Sequence, residues 1–382
     1  MVRIAHLSDT HLGYRQYNLE ERELDIYEVM DEIADKILEE RADIVIHSGD
    51  LFDSYRPPAQ AYYCFKNFLQ KLDGKTKIYC ILGDHDTPKR RGMPPQRLFE
   101  DKIKILGLGE AEYKEEKING QEILIAGISH VTRRYSEFLV EELRKLDAVA
   151  QKYTASILTI HQAIDKFLPF EGVFEVRLED MPRNFSYYAL GHLHGRIRAS
   201  FGKGELAYAG SPEILKKDEI RSWQEKGKGF YIIDIEKEDI SVSEVNLSKI
   251  RPQIKAKINY SNFKNELYQV INSMQNLPKQ PILHVTIEGQ RIDRQAVHDA
   301  LSEALKGKVL QFRQEIIEAT EEGPITLKTS SLNMPEIFRE YLKDEKIANF
   351  ALELFKLLRY DEMEDAKKLA QEYFRRFTEN AA

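Results

Sequence analysis

Four short polar clusters stand in order along the chain: Asp9-Thr10-His11, Gly49-Asp50, Gly83-Asp84-His85-Asp86 and Gly191-His192-Leu193-His194. His161 closes the apolar run SILTIH between the third and the fourth. Singly, each is ordinary, since Gly-Asp pairs commonly make turns. Together they supply the mixed carboxylate and imidazole donors that hold two divalent ions about 3.5 to 4 Å apart, a device for cleaving phosphoesters. Asp9 and His11 are two residues apart, as are His192 and His194, so each pair can face one side at a strand end. Glycines at 49, 83 and 191 let the backbone turn sharply with no side chain blocking an ion or a phosphate. Nitrogen mixed with oxygen suits Mn, Fe or Zn better than Mg or Ca, which prefer oxygen shells.

The clusters need a scaffold that brings them together. Strand-like runs lie at Arg3 to Leu7, Ile44 to His47, Ile78 to Leu82, Ile123 to Ile128, Ser156 to Ile160 and Tyr187 to Leu190, alternating with amphipathic stretches. That alternation predicts a layered α/β fold. Glu23 to Arg41 carries Leu24, Tyr27, Ile33, Ile37 and Leu38 at helical spacing, which predicts a helix laid on a sheet. Polar clusters just beyond strand ends are where open α/β sheets bind ligands.

Near Lys249 to Pro252 the texture changes. A compact unit follows, read as strand (Ile254 to Ile258), helix (Asn262 to Met274), strand (Ile282 to Ile287), helix (Asp293 to Leu305) and strand (Val309 to Gln314). Beyond Pro324 come two helical stripes, Ile347, Phe350, Ala351, Leu354, Phe355, Leu358 and then Ala366, Leu369, Ala370, Tyr373, Phe374, Phe377. The expected division is therefore 1–248, 249–325 and 332–382.

With 382 residues, 42% hydrophobic and 31% charged, the chain has the composition of a soluble globular protein. No apolar run reaches bilayer length, and MVRIAHL runs directly into a strand, so neither a membrane span nor a leader is expected and a cytoplasmic location is. Cys64 and Cys80 have no disulfide or zinc spacing. The net charge of −7 argues against binding nucleic acid by bulk positive charge. Local clusters remain: Lys89, Arg90 and Arg91; Arg196, Arg198 and Lys203; and Lys216, Lys217 and Arg221. Each is equally well an ordinary solvated face. Gly74-Lys75-Thr76 resembles the end of a phosphate-binding loop, but Leu69 stands where that loop needs glycine, so no ATP site is expected.

The ordered set D-x-H, GD, GDHD, H and G-H-x-H resembles the calcineurin-like metallophosphoesterases. Within them the chain is most similar to the double-strand-break repair nucleases, SbcD-type in bacteria and Mre-type in archaea and eukaryotes. The stretches that carry this are HLSDTHLGYRQY, HSGDLFDSYRPP, LGDHD, YYALGHLHGR and YAGSPE, which span residues 6 to 213. The resemblance implies a four-layer αββα sandwich, a small α/β domain capping DNA, and a C-terminal helical segment. It implies two Mn²⁺ ions, with Mg²⁺ or another divalent ion possible. Asp9, His11, Asp50 and His194 would hold the first and Asp50, Asp84, His161 and His192 the second, with Asp50 shared. His85 would face the scissile phosphate and Asp86 would orient it. Hydrolysis would proceed in line, without a covalent enzyme intermediate.

The implied activity is 3′-to-5′ exonuclease on duplex ends and endonuclease on single strands or hairpins, on the chromosome. The implied partners are DNA, a second copy of the chain, and an SMC-like Rad-type ATPase docked on the C-terminal helices. Tyr62, Tyr63, Phe65, Leu98 and Phe99 are candidates for the dimer contact or for the core. Arg90, Arg91, Arg196 and Arg198 are candidates for DNA contact. A hairpin buried on its own body, a scaffold with dispensable catalysis and a small-molecule phosphodiesterase stay open. Two positions depart from the family pattern. Asp84 replaces the usual neutral Asn, which would make the loaded site net +1 rather than +2, and Asp53 stands where many archaeal and eukaryotic members have histidine. Asp84 should hold metal more tightly and weaken its pull on phosphate. His6, His47 and His130 have no motif support and are left out.

Overall fold

A computed structural model describes residues 1–88, 92–168, 174–318, 334–359 and 363–379. In chain order come β1 (Val2–Leu7), α1 (Glu20–Glu39), β2 (Ile44–Ser48), α2 (Ala59–Leu72), β3 (Lys77–Ile81), β4 (Lys104–Ile105), β5 (Glu112–Ile118) and β6 (Gln121–Ile128). They are followed by α3 (Ser136–Ala150), β7 (Ser156–His161), β8 (Tyr187–Gly191), β9 (Ile197–Phe201), β10 (Gly204–Tyr208), α4 (Glu219–Lys226), β11 (Gly229–Glu236) and β12 (Asp239–Asn246). Two six-stranded sheets result, ordered β12-β11-β1-β2-β3-β4 and β5-β6-β7-β8-β10-β9.

Side chains alternate across each strand, and here both faces find a partner. Val2, Ile4, Ile44, Ile46, Tyr79 and Ile81 meet Ile123, Ile125, Ile157, Tyr187 and Ala189 of the second sheet. Ala5, Leu7, Val45, Ile78 and Cys80 point the other way, onto α1 and α2 through Ile26, Met30, Ile33, Ile37, Phe65 and Phe68. Burial on both faces is why β1 and β2 read as nearly continuous apolar runs. The arrangement is the expected α/β sandwich with helices outside paired sheets. α1 begins three residues before the expected Glu23, and Leu24, counted in its stripe, is 52% exposed. The buried stripe starts at Ile26.

The later unit contains β13 (Gln253–Asn259), α5 (Phe263–Ser273), β14 (Ile282–Gly289), α6 (Arg294–Leu305) and β15 (Gln311–Glu318), with its three strands parallel. The last strand was expected at Val309 to Gln314 and lies further on. Asp293 caps α6 by accepting from the Ala296 amide at 3.0 Å. Ile258, Leu283, Val285, Ile287, Leu301 and Leu305 form a separate core. Ion pairs help to attach it: Arg251 donates to Asp25 at 2.5 and 3.0 Å, Lys279 reaches Asp25 at 2.9 Å, and Arg22 bridges Asp25 (2.6 Å) and Glu213 (3.2 Å).

Compactness groups the sandwich and this unit as one body, 1–131, 140–162 and 182–325, and residues 132–139, 163–181 and 326–382 as another. The second body holds α7 (Met334–Leu342), α8 (Glu345–Arg359) and α9 (Met363–Glu379), one helix more than the two stripes suggested. Phe350 stacks on Tyr373 at 3.9 Å and Phe338 meets Phe355 at 5.8 Å, while Ile347 (38%), Leu358 (48%) and Phe374 (69%) are exposed. The Phe377 side chain lies outside what is described. Among the described residues no helix is long and apolar enough to cross a membrane.

Candidate metal centre

The parallel neighbours β1, β2 and β3 deliver Asp9 and His11, Asp50, and Asp84 and His85 just past their carboxyl ends. From the facing sheet, β7 ends in His161, which pairs in register with Gly191 at the end of β8, and His192 and His194 follow. Five strand ends from two sheets thus converge. The turns are tight: Asp9, His11, Asp50 and His192 have φ of 52°, 44°, 52° and 93°. Left-handed backbone is uncommon for such residues, and strain of this kind collects at functional sites. Backbone bonds hold it, Asp9 N–H to Gly49 O and His11 N–H to Asp50 O, both at 3.0 Å. Gly83 is required by contact, because a Cβ there would lie 2.0 Å from Asp50 Oδ1.

Five overlapping groups of donor atoms form among the described residues, three of them through Asp50 or Asp53 with His85 or His161, and two stand at the ends of the cluster. Asp9, His11 and His194 make one, and Asp84, His161 and His192 the other. Asp50 stands between them, with Oδ2 3.5 Å from His11 Nε2 and 3.4 Å from His161 Nε2. Its Oδ1 accepts the His85 amide at 3.0 Å, which turns Oδ2 toward both groups. Asp84 Oδ1 is 3.2 Å from His161 Nε2 and 3.2 Å from His192 Nδ1. Asp9 accepts the His192 amide at 3.0 Å.

The outward nitrogens are braced. His11 Nδ1 meets Asp53 Oδ1 at 3.2 Å, His161 Nδ1 meets Ser48 O at 2.8 Å, and His194 Nδ1 meets Glu219 Oε1 at 2.9 Å. Each brace leaves Nε2 pointing inward as a lone-pair donor, the usual arrangement around a metal. His11 Nε2 is buried with no hydrogen-bond partner, and such an orphan calls for an explanation. Burial opposes charge on His11, yet Asp53, Asp50 and Asp9 raise its pKa to about 9. Burial likewise opposes charge on His161, and Asp50 and Asp84 still hold its pKa well above the ordinary value. The carboxylates thus impose a negative field around His11 and His161, whereas at His194 burial outweighs Glu219 and lowers the pKa. An inward-facing orphan nitrogen and a field that favours cations are what a divalent-ion site needs, so the residues fit a metal pair.

His85 sits at the mouth with its side chain 43% exposed. Its Nδ1 lies 2.7 Å from the Asp53 carbonyl oxygen, to which it donates, leaving Nε2 toward the opening. Asp86, expected to orient His85, does something else. It is fully buried and accepts the amides of Leu51 (3.1 Å), Phe52 (3.0 Å) and Gly83 (3.1 Å), which fastens the β2 and β3 ends together. Asp53, noted only as a departure from pattern, takes the place beside His85.

Arg196 is corrected as a DNA contact. It is 3% exposed, and its guanidinium donates to Lys226 O (3.1 Å), Asn246 Oδ1 (2.5 Å) and Val245 O (2.7 Å). Arg198 is held by Glu205 on the neighbouring strand. Arg90 and Arg91 lie outside the described residues. Phe65 is in the core and Phe99 packs on it, so of the apolar dimer candidates Tyr63 and Leu98 are the exposed ones, at 57% and 56%. Motif spacing also missed Glu219, Lys228 and Ser211. Lys228 Nζ contacts Glu219, Ser211 Oγ (2.6 Å) and His194 O (3.0 Å), a buried polar knot behind a candidate ligand. The GSPE stretch hinted at Ser211, but nothing local flagged the other two.

A paired-sheet sandwich with this donor set is a metal-dependent phosphoesterase, and the calcineurin-like phosphoesterase family model matches residues 2–196. Among curated proteins, the DNA double-strand break repair protein Mre11 of Saccharolobus solfataricus is 37% identical over 391 residues, covering 97% of this chain and 99% of that one. The proteins of that name from Thermoplasma acidophilum (35%; 91% of this chain, 92% of that one) and Methanocaldococcus jannaschii (33%; 98% of each) match alike. The chain belongs to the archaeal Mre11 family.

Proposed function

We propose that the chain is a DNA nuclease of double-strand-break repair, hydrolysing phosphodiester bonds at a centre of two Mn²⁺ ions. The observation that carries the ion pair is Asp50 Oδ2 lying 3.5 and 3.4 Å from histidines of two separate donor groups, so that the Asp50 carboxylate would be shared between them. Asp9, His11, Asp50 and His194 would hold one ion and Asp50, Asp84, His161 and His192 the other; Mg²⁺ or a further divalent ion is the alternative. Bound there, the pair supplies Lewis acidity toward a phosphoryl oxygen and acidifies water.

The chain's own residues do the rest. His85, anchored through Nδ1 on the Asp53 carbonyl, offers Nε2 to the scissile phosphate or its leaving oxygen. Asp86 keeps the β2 and β3 ends, and so the spacing of Asp50 and Asp84, fixed. Residues 249–325 act as a cap over DNA; Gln253 supports this by reaching Gln16, in the loop leading from His11, at 2.8 Å. Residues 332–382 dock an SMC-like Rad-type ATPase, which the exposed apolar residues Ile347, Leu358 and Phe374 suit. A second copy pairs through surface that includes the exposed Tyr63 and Leu98.

Duplex and hairpin DNA labelled at either the 3′ or the 5′ end tests the reading. Shortening from the 3′ ends and opening of hairpins with Mn²⁺ are expected, and truncation before Leu332 should abolish ATPase binding while sparing cleavage. Degradation from 5′ ends, or a truncation that still binds the ATPase, contradicts it. Hydrolysis of small phosphodiesters but of no DNA points to the small-molecule enzyme instead.

A further inference from the structure

The two halves of the centre are backed differently. Where Asp9, His11 and His194 meet, both imidazoles rest on carboxylates, Asp53 at 3.2 Å and Glu219 at 2.9 Å. In the other half, His161 rests on the neutral peptide oxygen of Ser48 at 2.8 Å, and His192 turns its own Nδ1 toward Asp84 Oδ1 at 3.2 Å. Each half has one carboxylate of its own, Asp9 or Asp84, and shares Asp50. Inner carboxylate charge is therefore matched, and the asymmetry lies behind His11 and His194 as against His161.

Negative charge behind an imidazole strengthens its forward lone pair and locks its orientation, while a neutral carbonyl does this more weakly. Glu219 cannot turn away. It is buried, accepts from Ser211 Oγ (2.8 Å) and the Lys216 amide (3.0 Å), and pairs with Lys228, so it fixes the His194 ring while Asp53 alone adds uncompensated charge. Exposure differs as well, His161 at 0% excepted. Asp9, His11 and His194 side chains are 0%, 3% and 12% accessible, whereas Asp84 and His192 are 38% and 28%.

We infer that the half-site of Asp9, His11 and His194 binds its divalent ion more tightly and fills first, and that Asp53 and Glu219 are the positioning residues responsible. The inference rests on the two-ion reading above. Two steps in a titration would not establish it, because ions about 4 Å apart repel each other and would split even equivalent sites. The test is which half the first ion occupies.

Metal-free full-length protein is titrated with Mn²⁺ and followed by electron paramagnetic resonance, in which a single ion and an exchange-coupled pair give different spectra. In wild type a single-ion spectrum precedes the pair. Asp53→Asn keeps the shape, removes the charge, and weakens the first step by about 10- to 100-fold. Asp84→Asn spares the first step and weakens the second. Glu219→Gln leaves Lys228 buried without its carboxylate, so folding of that variant is checked by circular dichroism and the Asp53 variant decides. An unchanged first step in Asp53→Asn, or a weakened first step in Asp84→Asn, overturns the inference. Failure of wild type to bind any Mn²⁺ overturns the two-ion reading itself.

Discussion

Adding one methyl group at Gly83 should disable the centre while leaving the fold standing. A Cβ there would lie 2.0 Å from Asp50 Oδ1 and 2.5 Å from the Asp50 backbone nitrogen. Ordinary contact begins near 3.4 Å, so the carboxylate or the strand end must move by about 1.4 Å. Backbone on one side and β3 on the other leave little room, and overpacking of this kind costs about 1 to 3 kcal/mol of stability. The larger effect is on function. A displacement near 1 Å can cost about 100-fold in rate, and the moved atom belongs to the residue proposed to touch both ions. Gly83→Ala should therefore lose about 100-fold or more in kcat/KM on labelled DNA and bind Mn²⁺ more weakly, with a cooperative thermal transition retained. Gly120→Ala is the control: φ is +79° and nothing lies within 4 Å of its Cβ position, so it should cost about 1 kcal/mol with unchanged cleavage. Wild-type cleavage and Mn²⁺ binding in Gly83→Ala would refute the reasoning.

Asp84→Asn removes one of the carboxylates that make the loaded site net +1, so it should weaken Mn²⁺ retention in competition with a chelator, and equal affinity would count against the charge argument. Low pH should destabilise the fold through His6, which burial, then the neighbouring His47, lower to a pKa of about 3. The folded state keeps His6 neutral while the unfolded chain protonates it near 6.5, so its contribution is intact above about pH 6.5 and is lost as pH falls toward 3. In urea unfolding between pH 7.5 and 4.5, His6→Phe should flatten the fall by up to about 1.4 kcal/mol per pH unit; an identical slope would contradict this.

Much of the cluster was legible because polar residues at strand ends leave local signatures: an apolar run of five or six residues, then Asp or His, which directly follows Gly at Asp50, Asp84 and His192. Sequence order could not reveal that His161 and His192 arrive from a second sheet opposite the first. Charged edge strands such as β5, EYKEEKI, escaped because one side faces water and the alternation dissolves into Lys and Glu. Asp86 looked like a partner for its neighbour His85, but a fully buried carboxylate satisfies itself on whatever amides surround it, here those of Leu51, Phe52 and Gly83. Arg196 looked like a surface cation because its seclusion depends on β11 and β12, at least 33 residues later. Glu219 and Lys228 carry no motif, since a brace behind a ligand is defined only in three dimensions.

Cleavage of end-labelled duplex and hairpin DNA in Mn²⁺, Mg²⁺ and EDTA, with wild type beside His85→Ala, tests the central claim most directly. Cleavage that needs the ion, stops in EDTA and is lost in His85→Ala while DNA binding persists is the predicted result. No cleavage with any ion, despite bound metal, would contradict it and leave a scaffold or a phosphodiesterase of small molecules.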